Sequence, residues 1–144
     1  MKKVFGLIQV LDNLSRIPRT GGVLFAGADP ALGDSIAEHS FKVSWLALTF
    51  SEIARKHGVE IDLGKVLRAA IAHDWAETIL LDIPSGSPSY RSYFPEGFRE
   101  MVKGAEAKAS QAIEEYVREE VDLDLRTDGL ASSERGILLS LIHI

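Results

Sequence analysis

Residues 66–84 read VLRAAIAHDWAETILLDIP, a largely apolar stretch that contains ionisable residues. Its apolar residues recur at helical spacing, so we predict a helix that runs towards Leu81. His73 and Asp74 interrupt the apolar pattern, and Glu77 follows His73 at i+4 on the same helix face. Ionisable groups flanked so closely by apolar residues need partners, because burying an unpaired charge is costly. A metal ion is one such partner; solvated charges at a partly exposed helix end are the alternative.

Helical periodicity continues on both sides of this stretch, and we find neither an alternating strand nor an internal repeat. A first amphipathic helix is expected to end by Ile17, because Pro18 disfavours helix in the residue before it. A second helix ends near Gly58, the third is capped by Asp62, and a fourth begins near Pro95. The pattern therefore predicts an all-α, compact helical domain. The side chains expected in its core include Trp45, Phe50 and Trp75 and, on the fourth helix, Met101, Ala105, Ala109, Ala112 or Ile113, and Tyr116.

Composition limits the class of protein. The chain has 144 residues, which is room for one domain, with 46% hydrophobic and 26% charged residues as in ordinary globular proteins. A net charge of −5 gives no electrostatic support for nucleic-acid binding. No stretch approaches the ~20 apolar residues of a membrane span, and the amino terminus is a poor signal peptide, so we expect a cytoplasmic protein without a membrane partner. There is no cysteine, so metal ligands must be histidines or carboxylates.

His39 is the third ligand that we expect for an ion bound by His73 and Asp74. It lies one turn into the second predicted helix, and an antiparallel helix hairpin would bring the three groups together. Two nitrogens and one oxygen suit Mn, Fe, Co, Ni or Zn rather than Ca or Mg, because imidazole is a borderline ligand. A lone histidine at such a position is more often structural. His57 is interpreted as structural, since a cation at a helix end meets the helix dipole favourably.

Three ordered motifs carry a family resemblance: IPRTGG at 17–22, SIAEHS at 35–40 and AHDWAETILLDIP at 72–84. Together they resemble the HD superfamily of metal-dependent phosphohydrolases. More narrowly, the chain is similar to the small HD-domain 5'-nucleotidases, which remove phosphate from deoxyribonucleoside 5'-monophosphates. The similarity covers roughly residues 5–90 and, more weakly, the fourth helix. It implies a single HD domain over 1–144 with a metal site between helices, one divalent transition-metal ion, and a small nucleotide as substrate.

The resemblance also implies roles for individual residues. Glu77 matches an acidic residue that positions or activates the attacking water, and Asp82 matches a further active-site carboxylate that acts on the water or contacts the sugar. Arg19 matches a basic residue that contacts the phosphate, although the tryptophan that the family usually has nearby is absent. Arg19 begins a Gly- and Pro-rich segment, 19–30, which is long for a structureless connection and typical of a functional loop. The implied metal ligands are His39, His73 and Asp74.

The carboxyl terminus departs from the family pattern. The family takes a fourth ligand, an aspartate, from a later helix, whereas this chain has no aspartate after Asp128, and the matching position falls near Ile142 or His143. Three interpretations stay open: a truncated or frame-disrupted chain, replacement of the aspartate by His143, or a site with three protein ligands or no metal. An exposed apolar tail, LLSLIHI, would favour a homodimer. The alternatives to a nucleotidase are a non-catalytic metal- or nucleotide-binding HD module, an HD phosphodiesterase and a nucleoside-triphosphate hydrolase.

Overall fold

The computed structural model describes residues 2–20, 33–84, 93–118 and 130–142. Within these ranges all regular structure is helical, apart from one isolated antiparallel bridge between Pro18 and Ser35. The all-α prediction is therefore confirmed, and none of the described helices is long and apolar enough to cross a membrane. The elements are α1 (Lys2–Asp12), the 3-10 helix η1 (Asn13–Arg16), α2 (Ile36–Lys56), α3 (Leu63–Ala72), α4 (Glu77–Leu80), α5 (Phe98–Val117) and α6 (Ser132–Ile142).

The predicted end of α2 is confirmed in detail. Gly58 has φ 83°, a left-handed conformation that glycine adopts without steric cost. The Val59 amide donates to the Ala54 carbonyl at 3.1 Å, and the Gly58 amide donates to the Arg55 carbonyl at 3.0 Å. These two bonds form a Schellman motif, which satisfies carbonyls of the last helical turn.

The helix predicted from Asp62 towards Leu81 is divided into α3 and α4. Its start is as predicted, because the Asp62 side chain accepts from the Lys65 amide at 3.1 Å. α3 ends at Ala72, and a turn over residues 73–76 leads into α4. There the Thr78 amide donates to the Trp75 carbonyl three residues back, at 3.1 Å. This bond spans three residues rather than four and lies at the start of α4, after the turn that contains the two ionisable residues interrupting the apolar sequence.

Contacts divide the chain into two compact units, of which the first combines Met1–Ala37 with Trp75–Leu123. In it, α1 packs against η1 and α5, and α4 also packs against both. A Cβ atom at Gly6 of α1 would run into the Tyr116 hydroxyl of α5, so glycine leaves room for the tyrosine side chain against the α1 backbone. The buried apolar residues of this unit are Leu7, Leu14, Ile17, Ile36, Trp75, Ala76, Val102, Ala109, Ile113 and Val117.

The second unit combines Glu38–Asp74 with Asp124–Ile144. Its core brings together Leu130, which lies just before α6, with side chains of α2, α3 and α6: Val43, Ala47, Val66, Ala69, Ala70, Leu138 and Leu141. The prediction of an exposed apolar tail is therefore wrong for Leu138 and Leu141, while Leu139 is exposed. Leu138 and Leu141 are three residues apart, and this spacing places both on one face of α6.

A buried carboxylate joins two helix starts in this second unit. Glu134 is only 5% exposed. Its Oε1 accepts from the Asp62 amide and its Oε2 accepts from the Ala131 amide, both at 2.7 Å. Bonds from two backbone amides to one carboxylate are charge-assisted and strong. Glu134 thus satisfies amides at the starts of both α3 and α6.

Several predicted core residues are exposed instead. On α5 the buried residues are Val102, Ala109, Ile113 and Val117. The prediction of Met101 and Tyr116 is wrong by one residue at each place, and these two residues are 64% and 46% exposed. A shift of one residue preserves helical spacing, and only the packing partner distinguishes the two faces. Trp75 is buried as predicted. On α2, Trp45 and Phe50 are exposed, because the face of α2 that packs into the core is the one that carries Val43 and Ala47.

Candidate metal centre

The three predicted metal ligands come together where α3 ends. His39 lies in the first turn of α2, His73 directly follows the last residue of α3, and Asp74 is next in the turn. All three belong to the second compact unit, in which α2 and α3 share one core. That core holds the two backbones together and so brings His39 to a pair that lies 34 residues further along the chain.

The donor atoms have the separations expected around a single ion. His73 Nε2 is 2.9 Å from Asp74 Oδ2, His39 Nε2 is 3.6 Å from the same oxygen, and the two Nε2 atoms are 3.3 Å apart. Ligands bound at about 2.1 Å to one ion are about 3.0 Å apart at right angles and about 3.4 Å apart at the tetrahedral angle. The residues present therefore fit a metal ion.

The orientation of His73 is set by the backbone of α3. Its Nδ1 lies 2.7 Å from the Ala70 carbonyl oxygen. A carbonyl oxygen only accepts, so Nδ1 carries the proton and donates it. In a neutral imidazole this leaves the lone pair on Nε2, which is the atom that faces Asp74 and His39. Metal-binding histidines commonly have such a hydrogen bond on the other ring nitrogen, where it fixes the tautomer and the ring orientation.

The cluster is largely withdrawn from solvent. The exposed fraction of the side chain is 4% for His73, 6% for His39 and 11% for Asp74. A buried carboxylate is stable only when positive charge or hydrogen bonds compensate for its lost hydration. Two imidazole nitrogens beside one carboxylate oxygen form a donor set that suits a divalent transition-metal ion. These residues could hold such an ion, in agreement with the sequence-based expectation.

Two other predicted site residues, Arg19 and Asp82, belong to the first compact unit. Asp82 is hydrogen-bonded to Thr20, the residue that directly follows Arg19. The Thr20 amide donates to Asp82 Oδ2 at 2.5 Å, and the Thr20 hydroxyl donates to the Asp82 carbonyl at 2.9 Å. The Arg19 amide donates to the Asp34 carbonyl at 2.7 Å. Sequence reasoning did not single out Thr20, because nothing in the local pattern indicates a partner that lies 62 residues away.

Asp82 follows a residue with an unusual backbone conformation. Leu81 has φ 63° and ψ 172°, in a region that is essentially restricted to glycine. Holding a leucine there costs on the order of 1–3 kcal/mol. The side chain is 61% exposed, so little burial compensates for this cost. The Leu81 amide still donates to the Glu77 carbonyl at 2.9 Å, which ends α4.

Glu77, the remaining predicted carboxylate, is the first residue of α4 and is half-buried. It belongs to the same compact unit as Arg19 and Asp82. Its catalytic role stays a prediction. His143 and residues 21–30 of the predicted loop lie outside the described residues. A fourth ligand at His143 therefore also stays a prediction.

Comparison with known proteins gives a family match over most of the chain. The family model for 5'-deoxynucleotidase YfbR-like proteins matches residues 6–135. Among curated proteins, 5'-deoxynucleotidase HDDC2 of Danio rerio is 29% identical over 83 residues, covering 58% of this chain and 37% of that protein. The matched region is thus little more than a third of the relative's length.

Solved structures of the same fold cover nearly the whole chain. A conserved hypothetical protein from Pyrococcus furiosus is 29% identical with a TM-score of 0.65, covering 96% of this chain and 72% of that one. A protein from Pyrococcus horikoshii OT3 is 27% identical with a TM-score of 0.70, covering 96% of this chain and 71% of that one. These similarities agree with the helical architecture described above.

Proposed function

The chain belongs to the YfbR-like 5'-deoxynucleotidase family of the HD superfamily, and we propose that it is a metal-dependent phosphohydrolase that removes phosphate from deoxynucleoside 5'-monophosphates. The observation that carries the proposal is the buried cluster of His39, His73 and Asp74, whose donor atoms have the separations of ligands to one ion. The phosphohydrolase class rests on the family match together with this cluster. The preference for deoxynucleoside monophosphates rests on the family alone.

The ligand set defines what the protein contributes to metal chemistry. His39 and His73 would offer Nε2 lone pairs, and Asp74 would offer a carboxylate oxygen. A divalent ion bound there would neutralise phosphate oxygens and lower the pKa of a coordinated water. The Ala70 carbonyl keeps His73 in the tautomer that binding requires. Mn, Fe, Co, Ni and Zn all suit this donor set.

Glu77 is the group that we assign to the attacking water. Its carboxylate would orient the water and take its proton, as a general base does. The water oxygen forms a new bond to phosphorus, and the bond between phosphorus and the 5' oxygen breaks. The 5' oxygen takes up a proton, so the products are a nucleoside and inorganic phosphate. Glu77 rather than Asp82 is assigned here, because the family resemblance matches Glu77 to the acidic residue that positions or activates the attacking water.

Arg19 is the group that we assign to the phosphate. A guanidinium donates two parallel hydrogen bonds to phosphate oxygens, a geometry that lysine does not reproduce. The chain carries a net charge of −5, so a phosphate site needs local positive charge. The Arg19 backbone is held by its bond to the Asp34 carbonyl, which restricts where the side chain begins.

A single HD domain over the whole chain and a homodimer are part of the same proposal. The support for a dimer is exposed aromatic surface on α2, where Phe41 is 71% and Trp45 is 62% exposed. Sedimentation equilibrium of the wild type and of Trp45→Glu tests it. If the wild type is a dimer and Trp45→Glu is a monomer, the result supports this surface as the dimer interface. A monomeric wild type would contradict the proposed homodimer.

Phosphate release from a panel of nucleoside mono- and triphosphates tests the activity, with Mn, Co, Ni, Zn or Mg added after chelator treatment. We expect release from deoxynucleoside 5'-monophosphates that depends on the metal. His73→Ala should abolish metal binding and activity together, while His57→Ala, an exposed histidine outside the cluster, serves as the matched control. Glu77→Gln should retain the metal and lose about 10²–10⁴-fold in kcat.

The alternatives give different results in the same assay. A protein that binds metal without releasing phosphate from any nucleotide would be a binding module. Release from triphosphates in preference to monophosphates would indicate a triphosphate hydrolase. A wild-type protein that binds none of Mn, Fe, Co, Ni and Zn would contradict the assigned site itself.

A further inference from the structure

We propose that Asp82 is a positioning residue that holds the backbone on which Arg19 is presented to the phosphate. The proposal rests on the proposed function in one respect, the role of Arg19. It differs from the role that the family resemblance implies for Asp82, which is direct action on the water or on the sugar. The observation that carries it is the pair of hydrogen bonds between Asp82 and Thr20, the residue directly after Arg19.

Asp82 uses both its side chain and its backbone to hold Thr20. Its Oδ2 accepts from the Thr20 amide at 2.5 Å, and its carbonyl oxygen accepts from the Thr20 hydroxyl at 2.9 Å. A hydrogen bond from a backbone amide to a carboxylate is charge-assisted and therefore among the stronger kinds. Two bonds to one residue fix its orientation as well as its distance. Thr20 is thus attached to the segment that follows α4.

The same segment is held from its other side. The Arg19 amide donates to the Asp34 carbonyl at 2.7 Å, and Pro18 pairs with Ser35 in the antiparallel bridge. The backbone of Arg19 therefore lies between two attachments that come from distant parts of the chain. Displacing a substrate-positioning group by 1 Å can cost about 10²-fold in rate. Asp82 supplies one of these attachments, so its removal should reduce the effectiveness of Arg19.

The backbone before Asp82 supports this assignment independently. Leu81 is held at φ 63° although it is not glycine and is mostly exposed. Such a conformation persists only when the surrounding structure over-determines it, and it is concentrated at functional sites. Here the sharp change of direction directly follows α4 and brings Asp82 to Thr20. The strained residue is therefore explained by the bonds that come immediately after it.

The test compares Asp82→Asn with Asp82→Ala. The asparagine Oδ1 still accepts from the Thr20 amide, whereas an amide group cannot act as a base. If Asp82 positions Arg19, Asp82→Asn should keep kcat/KM within about threefold of the wild type, and Asp82→Ala should lower it about 10–100-fold. If Asp82 acts on the water, both variants should lose kcat to a similar extent, about 10²–10⁴-fold. The second pattern overturns the proposal.

A double-mutant cycle with Arg19→Ala separates positioning from a merely structural role. If Asp82 acts through Arg19, then Asp82→Ala should lower kcat/KM by less than about threefold in the Arg19→Ala background. Multiplicative losses in the double mutant would overturn the proposal. If Asp82→Ala does not fold, the comparison of Asp82→Asn with the wild type decides, since a base role predicts loss and a positioning role predicts retention.

An activity-independent measurement keeps this proposal distinct from the proposed function. The chain has four threonines, so labelling threonine with ¹⁵N gives a simple spectrum in which the Thr20 amide can be assigned. Asp82→Ala should speed hydrogen exchange of the Thr20 amide at least tenfold, and Asp82→Asn should leave it protected. Unchanged exchange in Asp82→Ala overturns the attachment. A wild type that releases no phosphate overturns the proposed function instead, whatever the exchange rates are.

Discussion

Replacing Glu134 by glutamine tests how much the buried carboxylate contributes to holding α3 and α6. In the wild type its two oxygens accept from the Asp62 and Ala131 amides, each at 2.7 Å. Glutamine keeps the shape of the side chain but offers one oxygen and one NH₂ group. One of the two backbone amides would then face another donor. Because Glu134 is only 5% exposed, water has little access to replace the lost acceptor.

The expected loss follows from these contacts. A hydrogen bond to a charged group contributes about 1.5–3 kcal/mol net, and a buried donor without an acceptor costs about 1–3 kcal/mol. These two figures partly describe the same loss, so we expect Glu134→Gln to lower the free energy of unfolding by about 2–4 kcal/mol. Domains of this size are stable by about 5–15 kcal/mol, so the effect is a large part of the total.

Urea unfolding followed by circular dichroism measures the change. With a slope of about 2 kcal/mol per molar, the midpoint should fall by about 1–2 M. Glu60→Gln is the matched control, because it makes the same substitution at an exposed position two residues before Asp62. The control should stay within about 0.5 kcal/mol of the wild type. A Glu134→Gln variant that is no less stable than the control would refute the assigned role.

Two further predictions concern the strained residue and the metal centre. Leu81→Gly should leave the free energy of unfolding unchanged or raise it by up to about 2 kcal/mol, because glycine accepts this backbone conformation. Leu139→Gly, at a similarly exposed position inside α6, should instead lower the free energy of unfolding by about 1 kcal/mol. If urea unfolding shows the same loss for both variants, the backbone of Leu81 is not strained. A transition metal at 100 times its Kd should stabilise the protein by about 2.7 kcal/mol, read as a rise in Tm. The rise should disappear in Asp74→Ala and persist in His57→Ala.

Helix boundaries were the part of the fold that local sequence predicted best. The Asp62 side chain caps α3 as expected, and Gly58 ends α2 in a left-handed conformation. Both signals act within a few residues through backbone amides and carbonyls, so a local sequence is enough to contain them. The division of the third predicted helix at residues 73–76 was missed, because helical periodicity continues across the turn.

The buried faces of helices were predicted less well. On α5 the sequence offers Met101 and Tyr116 or, one position on, Val102 and Val117 at the same spacing. The structure buries the valines, since α1 and α4 pack against that face. Periodicity predicts that a helix has one apolar face. When two neighbouring residues are both apolar, it does not decide which of them lies at the centre of that face, and the two choices differ by about 100° around the helix axis.

For the candidate site, the chemistry of the donor set was available from the sequence and its geometry was not. Residue types, spacing and resemblance were enough to name His39, His73 and Asp74, because only a few types of side chain bind metal ions. The closeness of their donor atoms and the tautomer of His73 depend on how α2 packs on α3 and on the Ala70 carbonyl. The partner of Asp82 was beyond any local pattern.

By itself, the sequence determined that the chain is helical, where several helices begin and end, and which side chains are available as metal ligands. Those properties depend on interactions within a turn of helix or on the chemistry of single residues. The tertiary structure alone decided which face of each helix is buried and that Glu134 joins two helix starts. It also decided that Asp82 holds Thr20 rather than remaining a free carboxylate. The reason is physical: contacts between residues 62 or 72 positions apart form only when the intervening helices have packed.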